Sequence, residues 1–249
     1  MDNLSQISIL ILCGGLGKRL RLIVSDRQKV LAEVTGRPFI TFILEQISNA
    51  GGKDVTLCTG FMGEQIEKLL GSRYKALSLR YSKEQEPLGT AGAIRNAFDM
   101  IKSDVVMVYN GDSYCGINPQ NLLEWHLLRK SSCTLALVRV PDVSRYGCVN
   151  FDSNYMVTSF DEKSADIKSG WINAGIYCIN RGSVALIREK ENISLENNFF
   201  PEMIGSGLFA FPQDAKFIDI GTSSSYKEAE SFFNKVKRSV ETEKSRGDK

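Results

Sequence analysis

The sequence predicts an α/β domain: a three-layer α/β/α sandwich around a mixed, mostly parallel central sheet, with a smaller β-rich lobe contributed by its second half. Three observations predict it. Apolar runs of strand length alternate with amphipathic stretches of helical spacing from Ile7 to Tyr109; a glycine turn follows the first run directly; and past Arg139 the segments shorten and become β-rich.

Each element has its own signal. Ile7 to Leu12 is a continuous apolar run ending at Gly14-Gly15, as a buried strand entering a turn would. Pro38 opens a helix with Phe39, Phe42, Ile43 and Ile47 on one face and Gly51 past its end. Val55 to Cys58 is a strand, Gly63 to Leu70 a helix, Leu77 to Tyr81 a strand, Thr90 to Ile101 a helix, and Val105 to Tyr109 a strand. A helical pattern covers Asn121 to Arg129. The second half reads as strands Gly147 to Phe151, Met156 to Phe160 and Ile172 to Ile179, a helix Ser194 to Ile204, and strands Leu208 to Phe211 and Lys216 to Ile220. A last helix from Ser224 buries Tyr226, Ala229, Phe232, Phe233 and Val236, then enters a charged segment, Glu241 to Lys249, expected to fray. In such a Rossmann-like sheet, ligands bind beyond the carboxyl ends of the strands, where the glycine turn lies.

Composition removes several function classes. A net charge of +2 over 249 residues, with cations scattered among anions, gives no nucleic-acid footprint. No apolar run is long enough to span a bilayer and the start lacks a basic leader, so no membrane partner is expected and the cytoplasm is the expected location. The six cysteines form no CxxC pair and several lie in apolar runs, as buried thiols do. With His126 the sole histidine, neither a His-based zinc site nor a Ser/His/Asp triad can be assembled.

The glycine turn carries the first chemical signal. Gly14, Gly15 and Gly17 let the backbone approach a phosphate chain, while Lys18, Arg19, Arg21 and Lys29 can neutralise its charge. The spacing matches neither GxGxxG nor a Walker loop. GGLGKRLR followed by QKVLAEVTGRPFI resembles the signature of the sugar-1-phosphate nucleotidyltransferases. The resemblance continues in order through Glu86-Pro87-Leu88-Gly89-Thr90-Ala91-Gly92, Asn110-Gly111-Asp112, Arg145-Tyr146-Gly147, Asp161-Glu162-Lys163, Asn173-Ala174-Gly175 and Phe217-Ile218-Asp219-Ile220-Gly221-Thr222.

The resemblance implies an enzyme that joins a nucleoside triphosphate to a sugar 1-phosphate. It places Arg19, Lys29, Asp112, Lys163 and Asp219 in catalysis, with Asp112 and Asp219 sharing Mg²⁺. Leu12, Gly14, Gly15, Gly17, Lys18, Glu84, Pro87, Gly89 and Thr90 would hold the nucleotide, and Tyr146, Gly147, Glu162 and Asn173 the sugar phosphate. A nucleotidyltransferase domain over residues 1–235 would divide into a nucleotide-binding half, 1–139, and a sugar-side half, 140–235, followed by a charged tail, 236–249. A homo-oligomer is left open. The family usually has Thr at Lys18, Pro at Gln28 and Pro at Ser164; these departures keep the charged groups and bear on loop geometry.

Residue by residue, plainer readings compete. Asp112 in Asn-Gly-Asp could be a turn residue, Tyr146 a turn aromatic and Asn173 a buried amide. Asp219, flanked by isoleucines, demands a cation or donor partner. Glu84 and Glu86 precede the Pro87-Leu88-Gly89 loop, and carboxylates, which only accept, suit the N1–H and N2–H₂ donors of guanine; Gln85 keeps a uracil or thymine edge open. The segments around Lys29 (Val24-Ser25-Asp26 and Gly36-Arg37-Pro38-Phe39) point within the family to GTP and a manno-configured acceptor, a heptose 1-phosphate before mannose 1-phosphate. A non-catalytic subunit would be expected to lack these lysines and aspartates, and a dinucleotide oxidoreductase would need another glycine spacing.

Overall fold

The computed structural model describes residues 3–15, 17, 20, 24–161 and 169–247, with side chains through Lys237. Eight strands form one sheet. Their spatial order is Leu208–Gln213, Cys133–Val140, Gly170–Asn180, Val105–Asn110, Ser8–Leu12, Asp54–Thr59, Leu77–Lys83 and Arg73–Tyr74. Ser8–Leu12 pairs in parallel with Asp54–Thr59 on one side and Val105–Asn110 on the other, whereas Gly170–Asn180 runs antiparallel to both its neighbours. The sheet is mixed and mostly parallel, as the sequence predicts.

Both faces are covered because strand residues alternate between them. Ile9, Ile11, Met107, Tyr109, Ile176 and Cys178 pack on one side with the helix Ile40–Asn49 and with Leu122, Leu123, Ala229 and Phe233 from the helices Pro119–Leu128 and Ser223–Gly247. Leu10, Val106, Val108, Leu135 and Tyr177 pack on the other with Ala91 and Ile94 of the helix Gly89–Asn96, and with Leu195, Phe199 and Phe200. The expected layers are present. All six cysteines are buried and unpaired, and His126 bridges Thr134 and Asn180 at 2.9 Å with its pKa lowered by burial, so these residues serve the core.

Several elements depart from the sequence expectation. Cys133–Val140 and the edge strand Arg73–Tyr74 are unforeseen, and Gly170–Asn180, from the second half of the chain, lies in the middle of the sheet. The expected helix Ser194 to Ile204 opens as a π-turn, Leu195–Phe199, with the Phe199 N–H reaching Ser194 at 3.1 Å. Pro201, which has no N–H to give, sits in the first turn of a short α segment, Phe200–Glu202, that follows. The helix after Gly89 closes at Asn96 and a 3₁₀ turn, Phe98–Met100, follows; the C-terminal helix continues through Gly247, past the expected start of fraying. No helix among the described residues is long and apolar enough to cross a membrane.

Candidate active site

Ser8–Leu12 is flanked by the strands that follow it in both directions, so the chain's path diverges around its carboxyl end and opens a crevice there. A cleft of about 300 Å³ occupies that point. Its walls include Leu12, Gly14, Gly15, Lys29, Glu84, Pro87, Gly89, Thr90, Asn110 and Asp112. Eight of the nine nucleotide-side residues expected from the sequence are described, and seven of them line this one cavity.

The acidic side of the cleft begins at the end of Val105–Asn110. Gly111 donates to the Leu12 carbonyl at 3.0 Å, and a Cβ there would meet that oxygen at 2.6 Å, so only glycine lets the next residue emerge beside the glycine turn. That next residue is Asp112. Its Oδ2 lies 2.5 Å from Lys29 Nζ, with the lysine side chain 12% exposed and the aspartate 41%. Lys29 reaches it from a 3₁₀ turn anchored by buried Val30 and Leu31, and Gly17, at φ +58°, places its Cα against the lysine stem.

Another wall of the cleft is built around Glu84. A Cβ at Gly14 would come 2.6 Å from Glu84 Oε1, and Gly60 leaves the same oxygen room from the other side. Among the described residues its one hydrogen-bond donor is the Leu88 N–H, at 3.3 Å. Burial raises its pKa against that single compensating bond. The loop after it is clamped by a segment the sequence did not single out: Asn192 donates to the Pro87 carbonyl at 2.8 Å and the Ile193 N–H to that of Leu88 at 2.9 Å. Thr90 Oγ1 accepts from the Leu195 N–H at 2.7 Å and contacts Glu196 at 3.2 Å, so its hydroxyl secures this clamp. Glu86 is exposed.

Asp219 joins Asp112 through the backbone. The Ile220 N–H donates to the Asp112 carbonyl at 2.9 Å, and Phe217–Asp219 pairs antiparallel with Ser113–Cys115. Its side chain, 15% exposed, accepts from Tyr146 Oη at 2.6 Å, Arg145 at 3.1 Å, the Gly221 N–H at 2.7 Å and Ser225 Oγ at 3.3 Å. Burial and the adjacent Asp219 charge push the Tyr146 pKa up. Arg145 carries no separate signal in the sequence, because only folding brings it onto Asp219. Gly147 turns at φ +80° behind this pair. Asn173 bonds within its own strand, to Tyr177 Oη at 2.9 Å and the Gly175 N–H at 2.9 Å, and neither it nor Tyr146 lines the 300 Å³ cleft. Lys18, Arg19, Glu162 and Lys163 lie outside the described residues.

Among the described residues no three His, Cys, Asp or Glu side chains cluster as a metal cage. Asp112, in the turn before Ser113–Cys115, and Asp219, on the strand paired with it, are the two carboxylates that could offer hard-oxygen ligands to a divalent cation completed by phosphate and water oxygens.

Residues 8–236 match the nucleotidyl transferase family. The chain is 37% identical over 222 residues to a D-glycero-alpha-D-manno-heptose 1-phosphate guanylyltransferase of Aneurinibacillus thermoaerophilus, covering 89% of this chain and 96% of that one. It is 32% identical to a mannose-1-phosphate guanylyltransferase of Mycobacterium tuberculosis over 89% of its own length, spanning 63% of that relative. The crystal structure of HddC from Yersinia pseudotuberculosis complexed with GMP-PN superposes with a TM-score of 0.82 at 31% identity, over 91% of this chain and 99% of that one.

Proposed function

The chain belongs to the nucleotidyl transferase family, and on that premise we propose that it transfers a guanylyl group from GTP to D-glycero-α-D-manno-heptose 1-phosphate, releasing pyrophosphate. The observation that carries the reading is the single cleft that gathers the glycine turn, the Lys29–Asp112 pair and the half-buried Glu84 carboxylate at the carboxyl edge of the sheet. A sugar-phosphate oxygen attacks the α-phosphorus in line, the new P–O bond forms as the bond to pyrophosphate breaks, and the pyrophosphate carries away the electron pair. The attacking phosphate is already ionised at neutral pH, so no general base is needed. Bringing two anions together is the obstacle, and positioning with charge neutralisation removes it.

Each group has a role in that task. In this reading the glycine-turn amides, Arg19 and Lys29 serve the triphosphate, Lys163 orients the attacking phosphate, and Tyr146, Gly147, Glu162 and Asn173 are assigned to the sugar phosphate. Asp112 and Asp219 would hold Mg²⁺, which when bound neutralises phosphate charge. Asp112 offers its second oxygen directly, while Asp219 must release Tyr146 or Arg145. Glu84, short of donors, is completed by the N1–H and N2–H₂ of guanine. The charged substrates and the six buried free thiols suit the cytoplasm.

Mannose 1-phosphate is the second acceptor, favoured by the similarity to the mycobacterial mannose-1-phosphate guanylyltransferase. The test is a matrix of GTP, ATP, UTP, dTTP and CTP against heptose, mannose and glucose 1-phosphates, scored by pyrophosphate release with and without Mg²⁺. GTP should exceed the others by at least about tenfold, since a mismatched, desolvated base edge costs more than about 1.4 kcal/mol. A pyrimidine preference would overturn the guanine assignment.

A further inference from the structure

A buried side-chain amide is costly unless both its ends are satisfied. Gln28, immediately before Lys29, is 2% exposed and fully engaged. Its Oε1 accepts from the Val30 N–H at 2.7 Å, capping the turn that carries Lys29. Its Nε2 donates to the Cys13 carbonyl and, at 3.4 Å, to that of Gly15, two consecutive anchor points in the glycine turn. The partners fix the amide's orientation, because carbonyls cannot donate and an N–H cannot accept. The Gln28 backbone N–H in turn donates to Gln65 Oε1 at 2.8 Å, and Gln65 Nε2 donates to the Asp26 carbonyl at 3.1 Å, fastening the segment to the helix Gly63–Leu70.

The backbone here, φ −63° and ψ 140°, is one that proline adopts without strain. The path of the chain therefore does not require glutamine; what glutamine adds is an N–H and an amide, and both are used. A trans peptide sets its C=O and N–H on opposite sides, so tying down the Cys13 carbonyl also fixes the direction of the Gly14 N–H, which belongs to a cleft-lining residue.

We propose that Gln28 is a positioning residue that locks the glycine turn and the Lys29 turn into one unit, setting the seat of the triphosphate. This rests on the reading of the glycine turn as that seat. The test uses Gln28→Ala and Gln28→Pro, with Gln28→Glu as the isosteric variant that keeps the cap on Val30 but sets an acceptor against two carbonyls. Calorimetry with a non-hydrolysable GTP analogue and Mg²⁺ gives Kd, steady-state assays give KM for both substrates, and thermal melts report the fold.

All three variants should raise the triphosphate Kd and KM about tenfold, the loss of one or two hydrogen bonds, with sugar-phosphate KM unchanged within about twofold. Gln28→Pro fits the backbone but also loses the N–H that meets Gln65, so its Tm should fall at least as far as that of Gln28→Ala. Unchanged triphosphate Kd in folded variants, an equal rise in both KM values, or a fall in Tm alone would each overturn the proposal. Lys29→Ala separates the two levels: loss of triphosphate binding there with none at Gln28 sinks this inference only, whereas insensitivity at Lys29 as well removes the seat itself.

Discussion

Asp112 and Asp219 are neighbours, the Asp112 carbonyl accepting from the Ile220 N–H, yet the protein holds them in opposite ways. Asp112 is 41% exposed and meets a single cation, Lys29, through one oxygen. Asp219 is 15% exposed and surrounded by Tyr146, Arg145, Ser225 and the Gly221 N–H. The first carboxylate is left available at the cost of desolvating little; the second is oriented firmly by donors that also cover it. The two carboxylates thus differ in availability: Asp112 opens onto the cleft, whereas Asp219 is held behind its donors.

That contrast breaks first under Asp112→Asn, which should lower turnover by roughly 10²-fold or more without unfolding the chain, in line with losing a centred electrostatic contact. Asp219→Asn should fall within the same range. Near-full Mg²⁺-dependent activity in both, measured by pyrophosphate release with circular dichroism as the fold control, would end the shared-cation assignment.

Glu84→Gln tests the nucleotide side alone. The GTP-over-UTP ratio of kcat/KM should drop about tenfold, because an amide cannot accept from both guanine donors without presenting one of its own. An unaltered ratio would leave base selection to backbone groups.

At Asp219, Tyr146→Phe removes one donor and frees a lone pair. The Mg²⁺ concentration for half-maximal activity should then fall about threefold, a fraction of a charge-assisted hydrogen bond. A higher requirement would show that Tyr146 orients Asp219 for the cation rather than covering it.

The smallest effect is on stability. Burial raises the Glu84 pKa above its ordinary value, so the native state holds that proton more tightly than the unfolded chain, and stability contributed by the protonated form is lost as pH rises through the folded pKa. Glu84→Gln should therefore raise Tm at pH 8 by about 1–3 °C and by less at pH 4.5. An equal gain at both pH values would mean that the glutamate's charge is not the cause.

The sequence by itself determined whatever is written in short-range order. Apolar runs bounded by turn residues gave six of the eight sheet strands, leaving out Cys133–Val140 and the two-residue edge strand Arg73–Tyr74; the glycine turn and Asp219 stood out because a turn after a strand and a lone carboxylate between isoleucines are local facts, whereas Asp112 was marked by the family resemblance. Cys133–Val140 escaped, since its run follows closely on the helix Pro119–Leu128 and an apolar segment there reads equally as helix. Only the tertiary structure decided which charges meet: Lys29 with Asp112 across 83 residues, Arg145 with Asp219 across 74, and Gln28 with Cys13 and Gln65 across 15 and 37. Gln28 in sequence is merely a departure from proline. Its worth depends on two carbonyls and an amide delivered by other elements, and hydrogen bonds at that separation are set by how the sheet closes and not by any spacing along the chain.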